Sequence, residues 1–268
     1  MIRLSAESDR EGLIFLWKEA FGDSEEAIGL FLDNRYIPEN TVVSENDGKI
    51  TSMLFLLDGK LSVKGKLFNS YYLYAAATLK EFRGRGIMKE MLDFSKHLSY
   101  EREKDFICLK PAEKGLYDYY ASNGYKTVFS SETVVISADK TDDISVITSV
   151  DYDRFVWDDK SVDYAIKQHE FYGGKTLLCR EGRCLYTVED GTCTVKDIVF
   201  TGCDLRNMLH KIRISDAPTC FEIDLPFGYE IDSAEYSVKD SGMALAVSDR
   251  AENIISQINN AYLNLTLD

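Results

Sequence analysis

Two arginines and two glycines alternate at Arg83-Gly84-Arg85-Gly86, and their types and spacing fit the holding of a pyrophosphate, against the plainer reading of a basic turn capping a surface helix. The apolar run from Tyr71 to Ala77 before them reads as a buried strand. The spacing of Ile87, Met91, Leu92, Phe94 and Leu98 after them predicts a helix with one buried face. A strand, a short basic glycine turn and a helix start together make an anion cradle. Glycine allows backbone conformations and close approach that a side chain blocks. The free N–H groups of the first helical turn carry the positive end of the helix dipole, and guanidinium groups match phosphate oxygens. No Lys-Ser/Thr pair follows Gly86, which excludes a Walker loop, and the third glycine of the dinucleotide fingerprint is missing.

A second chemistry-bearing stretch lies between Asp105 and Val128. Phe106–Leu109 reads as a short strand, and Pro111-Ala112-Glu113 as the opening of a helix that carries Leu116, Tyr117, Tyr119 and Tyr120. Proline suits a first turn, where its missing N–H costs nothing, and Glu113 complements the dipole. Asn123-Gly124 closes the helix with a left-handed cap. A buried helix rich in phenols supplies proton donors that stay protonated at neutral pH.

Taken together, these two stretches resemble the GNAT superfamily of N-acyltransferases. Arg83-x-x-Gly86-x-Met88 is similar to its acyl-CoA signature, Gln/Arg-x-x-Gly-x-Gly/Ala, with Met88 where a small residue is usual. Tyr120-Ala-Ser-Asn-Gly124-Tyr125 is similar to its closing motif. The resemblance implies an α/β fold with a mixed central sheet flanked by helices, and acetyl-CoA or a short acyl-CoA as donor substrate. It places the CoA pyrophosphate over Arg83, Gly84, Arg85, Gly86, Ile87 and Met88. It places the pantetheine arm along the backbone of Ala76, Ala77 and Thr78, where the strand splays from the Phe106–Leu109 strand. Tyr120 then protonates the departing thiolate, with Tyr117 one turn earlier as its rival. Glu113 stands where many members carry a CoA-binding Asn.

Other elements must position these groups. Helices from Ser8 or Asp9 to Phe21 and from Glu25 to about Asn34 follow a short first strand. In the family such helices wall the acceptor site, which puts Glu25 and Glu26 within reach of a substrate amine, although both also read as helix-N-terminal acids stabilised by the dipole. Asn46-Asp47-Gly48 and Asp58-Gly59 read as turns between strands. Thr133–Ser137 ends a first domain, 1–140, and 141–268 forms a second that repeats the element order. Its junction Val199-Phe200-Thr201-Gly202-Cys203-Asp204 has one glycine, no arginine and an acid, so the second module is expected not to bind CoA. Pairs of one intact and one degenerate module resemble the enhanced-intracellular-survival-type acetyltransferases, some of which bring a C-terminal carboxylate to the active site. That analogy nominates Asp268, at the end of the apolar Ala261–Asp268 stretch.

Composition sets bounds. The chain has 268 residues, 45% of them hydrophobic, and a formal net charge of −14, which opposes nucleic acid and anionic membrane as partners and is compatible with a cationic amine. Six cysteines without a C-x-x-C pair and three scattered histidines argue for reduced cytoplasmic thiols and against a metal site. The acceptor is a small-molecule or peptide amine of unread identity. The competing readings are a silent acyl-CoA-binding regulator and an aminoacyl-tRNA-dependent transferase, the latter opposed by the acidic charge.

Overall fold

The computed structural model describes residues 1–144, 146–148, 152–180, 182–200, 205–232 and 234–265, with backbone alone at 146–148, 200 and 230. Strand β1 (Ile2–Leu4) is followed by helices α1 (Arg10–Phe21) and α2 (Glu25–Arg35) and pairs antiparallel with β2 (Thr41–Asn46). Gly22 ends α1 in the left-handed region (φ 78°), and the Ser24 hydroxyl starts α2 by accepting the Ala27 N–H at 3.2 Å. Strands β3 (Lys49–Val63) and β4 (Lys66–Thr78) form a long hairpin closed by Lys64 and Gly65, both at positive φ, as a two-residue turn requires.

Asp58-Gly59 is not the turn its sequence suggests, since both residues lie inside β3. The glycine serves close approach instead. Strand β8 (Arg154–Trp157) pairs with β3 there, and a Cβ on Gly59 would fall 2.4 Å from the Phe155 ring.

Helix α3 (Ile87–Glu101) leads to β5 (Phe106–Leu109), and α4 (Gly115–Ser122) to β6 (Lys126–Ser137). Beyond the short β7 (Val146–Thr148) and β8 come α5 (Asp159–Phe171), β9 (Lys175–Cys179), β10 (Gly182–Glu189), β11 (Thr192–Phe200) and α6 (Leu205–Asp216). Then follow β12 (Cys220–Leu225), β13 (Tyr229–Ile231), β14 (Glu235–Ala246) and α7 (Asp249–Ile255). A 12-stranded mixed sheet runs β1-β2-β3-β4-β5-β14-β6-β12-β11-β10-β9, with β8 on the β3 edge; β7 and β13 make a separate pair.

The insertion of β14 decides how the halves relate. It lies between β5 and β6, antiparallel to both, with Met243–Ala246 opposite Leu109–Phe106 and Glu235–Ala244 opposite Val135–Lys126. A strand from late in the chain therefore completes the sheet that carries the glycine turn. One face of this sheet packs on α1, α2 and α5 through Trp17, Phe31, Phe55 and Tyr164; the other packs on α3 and α4 through Leu54, Met91, Ile107 and Tyr120. A third core, around Phe221, Ile223, Met208 and Leu209, lies under α6. The stretch expected as a terminal strand is instead a buried connector. Ala261 and Tyr262 form isolated bridges to Phe129 and Arg154, and Leu263 and Leu265 are buried without strand pairing.

Cutting the chain after Lys140 removes β14 and leaves β5 and β6 with bare edges beside an apolar core. Such edges template aggregation. The fragment 1–140 is expected to be insoluble or to elute as large aggregates on size exclusion; a soluble monomer with a cooperative thermal transition would contradict the wedge as the closing element.

Candidate functional site

The basic turn has the geometry its sequence suggests. β4 ends at Thr78, a 3-10 turn spans Lys80–Phe82, and α3 begins at Ile87. Gly84 and Gly86 take φ 74° and 79°, and a Cβ on either would face open space, so left-handed backbone rather than crowding calls for glycine. The first helical bond of α3 runs from Glu90 N–H to the Gly86 carbonyl at 3.1 Å. Among the described residues, the N–H groups from Gly84 to Lys89 therefore have no backbone acceptor. Arg83 Nε donates to the Thr78 carbonyl at 2.9 Å, and a terminal nitrogen of Arg85 to the Glu81 carbonyl at 2.8 Å. The Arg85 guanidinium also stacks over Phe82 at 5.0 Å. Each arginine is thus anchored by one nitrogen, and its other donors meet no acceptor among the described residues. Ile87 and Met88 pack against the core under α3, which explains why a large residue fits at position 88.

Next to the turn the sheet opens. Parallel strands β4 and β5 keep register only from Ser70–Phe106 to Tyr72–Cys108. Beyond Tyr72, the β4 edge turned away from β3 has no strand beside it among the described residues. On its other edge β4 carries a bulge, since the register with β3 jumps from Phe55–Tyr74 to Met53–Ala77. Ala75 sits at φ 47°, a conformation that costs a non-glycine residue roughly 1–3 kcal/mol. The extra residue sends Ala75 toward the α1 face and Ala76 toward the α3 face. Ala77 is buried opposite Met53, and Thr78 pairs with Ser52, whose hydroxyl meets the Thr78 hydroxyl at 2.9 Å.

A cavity of about 900 Å³ passes through this gap. Ala75, Ala76, Leu109, Leu116 and Tyr120 line it from the β4–β5 side, and Trp17 and Phe21 from α1. Tyr120 is buried, and that burial pushes its phenol up to about 12, with Tyr119 adding to the effect. No hydrogen bond to a described residue holds the Tyr120 hydroxyl. Tyr117 does not line the cavity, and its hydroxyl donates to the Asp240 carbonyl on β14 at 3.2 Å. The structure therefore separates the two candidates, with Tyr120 at the cavity and Tyr117 fastening α4 to β14. Tyr125 is a further phenol, fully enclosed, with a hydroxyl that has no partner among the described residues and a ring centroid 5.5 Å from that of Tyr120.

The second half supplies the opposite wall, which sequence spacing did not reveal. Gln168 and His169 come from α5, Lys196 and Asp197 from β11, and Glu222 and Asp224 from β12. His169 Nε2 donates to the carbonyls of Tyr186 (3.0 Å) and Lys175 (3.2 Å), and the ring needs Gly174, whose added Cβ would fall 2.3 Å from it. Asp197 is buried, which pushes its carboxyl up, while Arg183 at 2.9 Å and Asn264 at 2.8 Å pull it back. Asp23, in the α1–α2 turn, accepts from Trp17 Nε1 at 2.8 Å and from the Tyr172 hydroxyl at 3.4 Å. Nothing local marks these positions, because strand pairing far along the chain brings them together. Glu25 and Glu26 do not line the cavity; Glu25 pairs with Lys18 at 2.8 Å and both stay at the α2 start, as helix-N-terminal acids do. Glu113 is exposed beside Ala112, which lines the cavity. Asp268 and the junction residues 201–204 lie outside the described residues; Leu265 lines the cavity. No group of His, Cys, Asp and Glu suited to a metal ion occurs among the described residues, and no helix among them is long and apolar enough to cross a membrane.

Comparison with known proteins agrees with this geometry. Residues 1–128 match the acetyltransferase (GNAT) domain family. The whole chain superposes on a conserved Enterococcus faecalis protein described as a probable N-acyltransferase, with a TM-score of 0.72, 15% identity and coverage of 94% of this chain and 73% of that one. It also superposes on Eis1 from Mycobacterium abscessus (TM-score 0.70, 14% identity, 92% and 74% coverage) and on a GCN5-related N-acetyltransferase from Kribbella flavida (0.68, 14%, 94% and 73%). Identities this low speak to fold alone. No curated protein matches the sequence.

The unpartnered Tyr125 hydroxyl yields a stability prediction. Removing a buried, unsatisfied polar atom while keeping the ring is neutral or favourable. Tyr125→Phe is expected to hold or raise the melting temperature, a gain of up to about 1 kcal/mol; a loss of more than that in thermal unfolding would show that the hydroxyl has a partner.

Proposed function

We propose, with residues 1–128 being a GNAT acetyltransferase domain, that the chain is an acyl-CoA-dependent N-acyltransferase. It moves an acetyl group, or another short acyl group, onto a primary amine by direct attack. The observation that supports this most is the adjacency of three features: amides at Gly84–Lys89 with no backbone acceptor and a β4 edge beyond Tyr72 with no strand beside it, both among the described residues, and a cavity lined by Ala76 and Tyr120. Those are a phosphate holder, a backbone ladder for an amide-bearing arm and a chamber for reaction, in sequence.

In this reading Arg83, Gly84, Arg85, Gly86, Ile87 and Met88 hold the pyrophosphate, and the backbone of Ala76, Ala77 and Thr78 holds the arm. Donor groups fixed before the reaction and aimed where negative charge develops are the strongest catalytic device a backbone offers. The amine nitrogen forms its bond to the acyl carbon, the C–S bond breaks, and the sulfur leaves as thiol once protonated. Tyr120 gives that proton. Its raised phenol keeps the acid form present at every pH below about 12, so it imposes no alkaline limb up to roughly pH 10. Asp268 enters this reading only by the analogy that nominated it, and the amine gives up its proton before it attacks.

Two measurements test the reading. Calorimetry should show CoA binding to the wild type and loss of at least about 100-fold in affinity for Gly86→Glu, which sets a carboxylate among the cradle amides. Gly86→Ala should retain measurable binding, since its Cβ meets nothing. Equal affinity in Gly86→Glu and wild type would overturn the cradle. Thiol release from acetyl-CoA across an amine panel then separates an enzyme from a silent CoA binder. For an accepted amine, Tyr120→Phe should lower kcat about 10²–10³-fold with CoA affinity intact, and Tyr117→Phe should not; the reverse ranking would move the acid one turn along α4.

A further inference from the structure

The acceptor wall carries charges of both signs, and most of them are already matched. Asp197 is paired with Arg183, and Asp224 with Lys239 at 2.8 Å, the latter helped by the Thr133 hydroxyl at 2.6 Å. Two cavity-lining charges have neither a hydrogen bond nor an ion pair among the described residues, Lys196 on β11 and Glu222 on β12. These strands run parallel with Thr194 opposite Glu222. The register of β11 with β10 jumps from Tyr186–Val195 to Leu185–Asp197, a bulge at Lys196 that lets both Lys196 and Asp197 line the cavity with Glu222. Asp23, at the α1 side of the same cavity, is held among the described residues by the neutral donors Trp17 and Tyr172, and no ion pair with a described residue offsets its charge.

A chamber that holds a lysine without an ion pair beside carboxylates without one, among the described residues, does not suit a purely cationic amine, even in a protein of net charge −14. Such an acceptor would set its own positive charge against Lys196. A molecule with one charge of each sign meets both. Resting on the N-acyltransferase reading, we propose that the acceptor is an amino acid or short peptide, whose carboxylate is held by Lys196 while Glu222 and Asp23 draw its ammonium end toward the bulge at Ala75–Ala76. The amine, once deprotonated, makes the new bond to the acyl carbon; the carboxylate takes no part in bond making. Lys196 is thus a specificity residue.

The test compares each L-amino acid with its own amide, and both with spermidine, by thiol release from acetyl-CoA. In the wild type, kcat/KM for the best amino acid is expected to exceed that of its amide about two- to fivefold, through KM, which is the size of one ion pair at an exposed lysine. Lys196→Arg should keep that ratio, and Lys196→Glu should abolish or invert it. The proposal is overturned if the amide or spermidine is the better substrate of the wild type, if the ratio survives in Lys196→Glu, or if no amino acid or amide is acetylated. Calorimetry of CoA on the same wild-type sample separates that last result from failure of the acyl-CoA reading, because bound CoA with no accepted zwitterion refutes only the acceptor class.

Discussion

Strands β4 and β5 share a ladder from Ser70–Phe106 to Tyr72–Cys108 and then part, and the candidate site depends on what happens at that point. Backbone N–H and C=O groups that lose a strand partner need another, and an unpaired edge inside a fold is costly unless something fills it. Here the edge opens onto a cavity and runs straight into the glycine turn. The bulge at Ala75–Ala76 turns β4 locally and puts a small side chain on each face, where a larger one would block the opening. Strain at Ala75 is tolerated because β3 holds the strand on both sides of it.

What keeps β5 in place while it departs from β4 comes from far along the chain. β14 takes the other edge of β5, and Asp105, just before β5, gathers the neighbouring segments. Its carboxylate accepts from Asn69 N–H at 3.0 Å, from the Ser248 hydroxyl at 2.7 Å and from Arg250 Nε at 2.6 Å, and these donors hold it below the usual carboxylate range against the opposing effect of burial. The first half of the chain therefore does not own its site. Its sheet is closed, and its cavity walled, by residues from β11, β12, β14 and α5.

The cradle was legible in the sequence because it is local: arginines, glycines and the helix start stand within a few residues, and each residue type has one physical use there. Tyr120 was legible for the same reason, through the Gly124 cap four residues on. The bulge left only a faint trace, three alanines after the run Tyr71-Tyr72-Leu73-Tyr74, and no local rule gives Ala75 a positive φ. Gly59 misled because a glycine after an aspartate suits a turn, whereas here it makes room for Phe155. Lys196, Asp197, Glu222, Asp224 and His169 were invisible as a set, since only the order of strands brings them to one cavity, and that order is fixed by pairing over long separations rather than by any neighbour in sequence.

The account rests on CoA lying along the open β4 edge with its phosphates on the amides that begin α3, and amide hydrogen exchange on the full chain reads that directly. Saturating CoA is expected to slow exchange at the N–H groups of Gly84 to Lys89 and at the gap-facing amides of Leu73 to Thr78, with little change in α6. CoA that binds while these amides exchange as before, with protection appearing elsewhere, would contradict it.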